Sequence, residues 1–376
     1  MLICATIVSL IIANSPLGES YHHLLNGVYL LGDFNIHMIV NDFLMAIFFL
    51  LVGLEIKHEI LHGHLSSFKK ASFPIIAALG GVIVPAIIFM VINSGTEFIT
   101  GIGVPISTDI AFAVGIFMLL KSKLNPTLKI FLLSLAVVDD LISILVIGVL
   151  YSSNINYLFL LIAIALVGLL AVMNLKYKVN KVTPYMVVGL VIWFFIHKSG
   201  IHSTISGVFV ALAIPSSVLR DDKVPLSHKL EHALSPLCNF FILPLFALVN
   251  TAISLNVNTT TVHSSSTLVL GIVAGLSIGK PLGIMLFTFI ASKLGWTDKP
   301  TGASWLSVFS VSILAGIGFT MSIFVAELAF ESMPHAVNLA KISILVASLI
   351  SIGATYLVST IYSRRSHSKD ELIISN

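Results

Sequence analysis

The chain has 376 residues, 57% of them hydrophobic and 10% charged, with a net charge of +3 and a mean hydropathy of +1.04. So little charge cannot cover a soluble domain of this length. The apolar residues gather in runs of about 20, the length that crosses a bilayer as a helix, so the chain reads as an all-α polytopic membrane protein, one transmembrane domain over 1–376.

About twelve spans follow in chain order, at 2–14, 37–57, 72–92, 100–120, 127–151, 155–175, 183–197, 199–215, 233–255, 266–292, 303–330 and 336–362. No β-barrel pattern of short alternating segments interrupts them. The first span is short. It lacks the basic start and small-residue cleavage site of a signal peptide, and the chain reads as truncated or mis-started there. The loop at 15–37 contains YLLGDFNIHM, alternating residues about a Gly-Asp pair. That is a small outer-face β-hairpin, or else an irregular loop; a hairpin would offer an edge for pairing with a second copy. The seventh and eighth spans read equally well as one unit broken at Lys198-Ser199-Gly200. Residues 363–376 form a polar tail. Cys4 and Cys238 lie in apolar stretches without metal spacing, so neither a disulfide framework nor a zinc site is expected.

Basic residues orient the spans. Alternate loops carry Lys57, Lys69, Lys70; Lys121, Lys123, Lys129; Lys176, Lys178, Lys181; Arg220, Lys223, Lys229; Lys293, Lys299; and Arg364, Arg365, Lys369. The opposite loops carry only Lys198. By the positive-inside rule the first set and both termini are cytoplasmic. Lys280 and Lys341 remain; Lys341 can snorkel from a helix end, whereas Lys280 is flanked by apolar sequence on both sides.

Two spans are interrupted. The fourth contains Gly101, Gly103 and Pro105 ahead of Ser107, Thr108 and Asp109; the eleventh contains GIGFT at 316–320. Proline removes a helix hydrogen bond, and such breaks survive at membrane depth where the freed groups face protein or water. The glycines alternatively serve close helix packing. If spans 3–5 and 10–12 are inverted repeats, the breaks fall in matching middle helices, the arrangement that marks a transporter site. Crossed interrupted helices would bring like dipole ends together. Asp109 can offset positive ends; Lys280 can offset negative ends or pair with an acid of the fifth span.

That span, IFLLSLAVVDDLISILVIGVLY, carries Asp139 and Asp140 side by side. An acid at the bilayer centre costs ~2.5–3.5 kcal/mol on insertion scales. Two adjacent ones point to a wet cavity and to cation binding or proton relay. Ionised, they supply hard oxygen ligands for a small cation; interacting this closely, they titrate as a unit. Proton and cation then compete for the same oxygens.

SLAVVDDL, ISTDIAFAVGI, FFLLVGLEIKHE, SGIHSTISGV, KLEHAL, ILPLFALVN, LSIGKPLGI and GIGFTMSIF resemble, in order from Ile3 to about Leu357, the NhaA family of bacterial sodium/proton antiporters. The resemblance implies twelve transmembrane helices, inverted repeats with crossed interrupted helices 4 and 11, and a homodimer paired partly through the outer-face hairpin. It implies electrogenic, pH-regulated exchange of cytoplasmic Na⁺ or Li⁺ for external H⁺ in the bacterial inner membrane. Asp139 and Asp140 match the transient Na⁺/Li⁺ and proton site, with Thr108 near the ion. Asp109 matches a dipole compensator and Lys280 a buried lysine. Asp42 matches an accessory acid of helix 2. Glu55, Glu59, Glu231, His232 and His202 match residues linked to pH response.

Plainer readings stand beside these: Asp42 as a cap, Glu55 and Glu59 as a solvated face, Glu231 and His232 as helix-start polar residues, His202 as a satisfied core histidine. His58 stands where the family often has arginine, Ser235 where some members have histidine, and Glu327 adds an acid to helix 11. The chain is not read as an enzyme. An intramembrane aspartyl protease needs acids on facing helices, and neighbours on one helix point about 100° apart; Asp109 with Asp139 or Asp140 keeps that rival open. A cation channel would repeat a pore motif. Expected partners are Na⁺, Li⁺, H⁺, membrane lipid and a second copy, with no cofactor and no nucleic acid.

Overall fold

The computed structural model describes residues 1–31, 34–121, 124–152, 155–218, 224–254 and 265–374. The Gly32-Asp33 pair, Lys123, Arg220, Lys223 and the end of the expected ninth span lie outside them.

In chain order the elements are α1 (Leu2–Ala13), α2 (Gly18–Gly27), β1 (Tyr29–Leu31), β2 (Phe34–Asn35), α3 (Ile36–Leu61), α4 (Phe68–Ile92), α5 (Ile110–Leu119), α6 (Thr127–Leu150), α7 (Tyr157–Leu175), α8 (Val182–Lys198), α9 (Ile205–Ala213), α10 (Leu226–Asn250), α11 (Ser266–Lys293), α12 (Trp305–Ala315), α13 (Phe319–Ala329) and α14 (Pro334–Ile374). Among the described residues, seven helices are long and apolar enough to cross a membrane, and two bent pairs, α1 with α2 and α12 with α13, raise the number to nine. α5 and α8 are apolar but shorter. The protein is thus an all-helical, multi-pass membrane chain apart from one short hairpin.

Several ends follow from local sequence. Asn156 accepts the Leu158 and Phe159 N–H groups at the start of α7, and Ser304 accepts Ser307 N–H at the start of α12. At the other end of the chain, Ser15-Pro16 stops α1, and α2 leaves at 112°. That turn requires Gly18, because a Cβ there would lie 2.4 Å from the Ala13 carbonyl oxygen. Sequence reading missed α2, whose alternation of polar and apolar residues is too short to stand out. β1 and β2 pair antiparallel, Tyr29 opposite Asn35 and Leu31 opposite Phe34.

The chain divides into two compact units, Met1–Ser66 with Ile144–Leu255, and Ser67–Ser143 with Asn256–Asn376. In the first, α3, α8, α9 and the start of α10 enclose a core of Leu50, Leu54, Tyr185, Ile192, Val210 and Leu230. Here the expected span at 199–215 is helical only from Ile205, since Ser199-Gly200 turns the chain. In the second unit α4 and α11 lie backbone to backbone. A Cβ on Gly80 would sit 2.2 Å from Gly283 O, and one on Gly283 2.0 Å from Gly80 O, an approach that only glycine permits. This packing presents Lys280, one turn before Gly283, to the interior.

Candidate functional site

Within the second unit, α6 carries Asp139 and Asp140 at one level, each 1% exposed. Lys280, also 1% exposed, follows a π-helical turn over Gly275–Gly279, a local widening frequent at functional sites. Its Nζ lies 2.7 Å from Asp139 Oδ2 and also donates to the Ile106 carbonyl. The same ammonium thus contacts a carboxylate and a main-chain carbonyl. The second oxygen, Asp139 Oδ1, is buried and accepts no hydrogen bond from the protein. Thr108 flanks that carboxylate, and Asp140 lies within electrostatic reach of Lys280.

The two interrupted segments meet beside these groups. A 3₁₀ turn over Glu97–Gly103 ends before Pro105, the chain extends through Ser107 and Thr108, and α5 begins after Asp109. α12 ends at Ala315, and α13 begins at Phe319 with its axis bent 45°. Asp109 N–H donates to Ile317 O at 2.8 Å. Thr108 Oγ1 donates to Ala315 O at 2.8 Å, covering a carbonyl that the end of α12 frees.

Asp109 binds two helix starts at once. Its Oδ1 accepts Phe112 N–H at 2.9 Å in the first turn of α5. Its Oδ2 accepts Thr320 N–H at 3.0 Å in the first turn of α13, together with the Thr320 hydroxyl. A carboxylate between two N-termini answers both partial positive charges. Sequence reading missed Thr320, 211 residues away; its place two residues after Gly318 was the available signal. It also missed Ser143, one turn beyond Asp139, which receives the Ser107 hydroxyl at 3.2 Å.

Glu327 and Lys341, read separately in the sequence, form an ion pair between α13 and α14. Lys341 is buried rather than snorkelling, because an acid on the neighbouring helix holds its ammonium inside. Lys57 likewise belongs to α3 rather than to a loop. Its ammonium donates to Leu212 O at 2.7 Å and to Ile214 O, closing the end of α9.

The remaining expected residues, Asp42, Glu55, Glu59, His202, Glu231 and His232, lie in the first unit. Asp42 sits in a π-helical turn over Ile39–Leu44 and accepts from Ser203 Oγ at 3.2 Å. His202 is half-buried in the turn before α9. Near the end of α3, His58 Nδ1 is 3.9 Å from Glu231 Oε2. The His58 and His228 rings are 5.5 Å apart, and His228 stacks on His232 at 4.5 Å. Glu55 is within electrostatic reach of Glu231. Glu59 instead accepts His64 N–H at 2.8 Å, closing the turn after α3. His228 was missed, although its spacing of four from His232 puts both on one helix face. Among the described residues no three His, Cys, Asp or Glu side chains are arranged to hold a metal ion.

Comparison with known proteins agrees with the sequence motifs. A family model described as Na⁺/H⁺ antiporter 1 matches residues 1–358. The Na⁺/H⁺ antiporter NhaA 2 of Aliarcobacter butzleri strain RM4018 is 45% identical over 375 residues, covering 95% of this chain and 93% of that protein. The Na⁺/H⁺ antiporter NhaA of Vibrio campbellii is 46% identical over 360 residues, covering 95% and 91%. That of Helicobacter pylori strain HPAG1 is 42% identical over 399 residues, covering 93% and 90%. With a whole-length family match and relatives at this identity, the chain belongs to the Na⁺/H⁺ antiporter 1 family.

Proposed function

We propose that this chain is a secondary transporter that exchanges cytoplasmic Na⁺ or Li⁺ for external H⁺ across the bacterial inner membrane. Family membership supports the exchange. The observation that carries the site is the buried pair Asp139-Asp140 with one Asp139 oxygen bonded to Lys280 and the other left without a protein donor. A buried carboxylate oxygen without a donor favours a proton or a small cation.

Protons and Na⁺ compete for these oxygens, and only the loaded forms reorient. Lys280 holds Asp139 ionised until Na⁺ or another proton breaks the pair. Thr108 and freed carbonyls complete the cation shell, and Asp109 neutralises the two helix starts. Twelve spans with crossed helices 4 and 11, cytoplasmic termini and a homodimer joined through β1 and β2 complete the reading. Asp42 is an accessory acid of helix 2 that affects transport. Glu55, Glu59, Glu231, His232 and His202 set the pH response. Moving more than one H⁺ inward per Na⁺ carries net charge, so the membrane potential contributes about 2.3 kcal/mol per charge per 100 mV.

The test is dissipation of a pH gradient in everted vesicles. Na⁺ and Li⁺ should collapse it, K⁺ should not, and Asp140→Asn should lose at least about 95% of the response, since the remaining carboxylate must both bind the ion and hold Lys280. Undiminished exchange in that variant would remove the aspartate pair from the mechanism.

A further inference from the structure

One ion pair of the second unit takes no part in the proposed exchange. Glu327 lies in the last turn of α13, and Lys341 lies two turns into α14; their side chains are 16% and 8% exposed. Stability does not account for the pair. A carboxylate at a helix C-terminus faces the negative end of the dipole, and burying two charges costs as much as or more than their attraction returns. A buried pair is better suited to fixing position than to adding stability.

The element it fixes is short and matters to the site. α13 has 11 residues, about 16 Å of helix. Its first turn holds the Asp109 carboxylate through the Thr320 N–H and hydroxyl. Glu327 comes seven residues later, so it lies about two turns, roughly 10 Å, farther along nearly the same face. α14 also backs the break itself, because a Cβ on Gly316 would lie 3.1 Å from Ser351 Oγ. The half-helix is therefore held at one end by Asp109 and at the other by Lys341, with α14 behind the gap.

We propose that Glu327 and Lys341 are positioning residues. Their ion pair sets the axial and rotational place of α13, and through it the contact of Thr320 with Asp109, next in sequence to Thr108. The transport consequence rests on the exchange proposed above; the structural consequence does not.

Two measurements test this on the full-length protein, using Glu327→Gln, Lys341→Met and the reversed pair Glu327→Lys/Lys341→Glu. In everted vesicles at equal protein level, each single variant should raise the half-saturating Na⁺ concentration about five- to tenfold with the maximal response kept within about twofold. The reversed pair should return it to within about twofold of the original, as coupling between contacting residues predicts. In detergent, hydrogen exchange of the Phe319–Ala329 amides should quicken at least about tenfold in each single variant and slow again in the reversed pair, with Trp305–Ala315 unchanged. Unchanged α13 exchange in single variants, or a reversed pair no slower than they are, overturns the clamp. If α13 behaves as expected but Na⁺ evokes no response even in the unaltered protein, the clamp stands and the exchange reading falls. Glu327→Gln differs little in shape, so it keeps the test open should Lys341→Met fail to insert.

Discussion

At the scale of residues, Asp109 and Asp139 are both buried acids with opposite surroundings. Asp109 is saturated: two backbone N–H groups and a hydroxyl occupy its oxygens. Asp139 is bonded at one oxygen only. The first arrangement suits a structural anion; in the exchange proposed above, the second is the one that takes up a proton or a cation. Asp109→Asn should therefore act through the fold, because an amide nitrogen would face an N–H donor in one of the two first turns. A loss of about 2–4 kcal/mol is expected, measured as a fall in the thermal midpoint of the purified protein. Thr320→Val removes one hydroxyl donor and should cost about 1 kcal/mol. Equal midpoints for Asp109→Asn and the unaltered chain would show that the carboxylate charge is not needed there. The sequence announced both acids, since each interrupts an apolar run. Thr320 it marked only by a place two residues after Gly318, an ordinary setting until a partner 211 positions away is known. Lys341 was misread for the same reason: its acid lies on another helix.

Elements were legible where the cause is local and hidden where it is not. Pro105 and the Gly316–Gly318 pair located both breaks, because missing N–H groups and missing Cβ atoms are properties of single residues. The short helices α5 and α9 were not separable from the runs around them, since an apolar window records burial and not where the chain turns, and α2 was too short to stand out in its loop. Glycines inside regular helix were ambiguous too. Gly80 and Gly283 prove to be contact points, each too close to the other's carbonyl for any side chain. Replacing either by leucine should force α4 and α11 apart. About 3 kcal/mol or more of stability should be lost, with Na⁺ response reduced in proportion to the protein that remains folded. A functional loss exceeding the folded fraction would mean that helix spacing also sets the ion site directly.

At the scale of the whole molecule the prediction concerns pH. If hydrogen ions and Na⁺ compete for one set of oxygens, half-saturating Na⁺ must rise as pH falls. The rise approaches about tenfold per pH unit for each proton displaced, at pH values below the titration of the site, and levels off above it. Calorimetry of Na⁺ addition in buffers of different ionisation enthalpy counts the released protons directly. Binding without release at every pH contradicts competition. Fold class was readable at this scale because bilayer solvation acts on every residue of a span at once. The exact number of crossings was less so, as bent and shortened helices satisfy the same solvation with fewer straight spans.

The helix Tyr157–Leu175 is the least covered by protein of the long ones, with 11% of its most apolar window buried. Leu158, Leu161, Ile164, Leu169, Val172 and Leu175 all point outward. Its 19 residues measure about 28 Å, close to an ordinary acyl layer. A micelle of short-tailed surfactant cannot wet that length, and the helix must tilt or shed its neighbours to hide it. Choice of amphiphile during extraction therefore becomes a variable of the protein itself: longer tails keep this flank sealed, and shorter ones unseat it first.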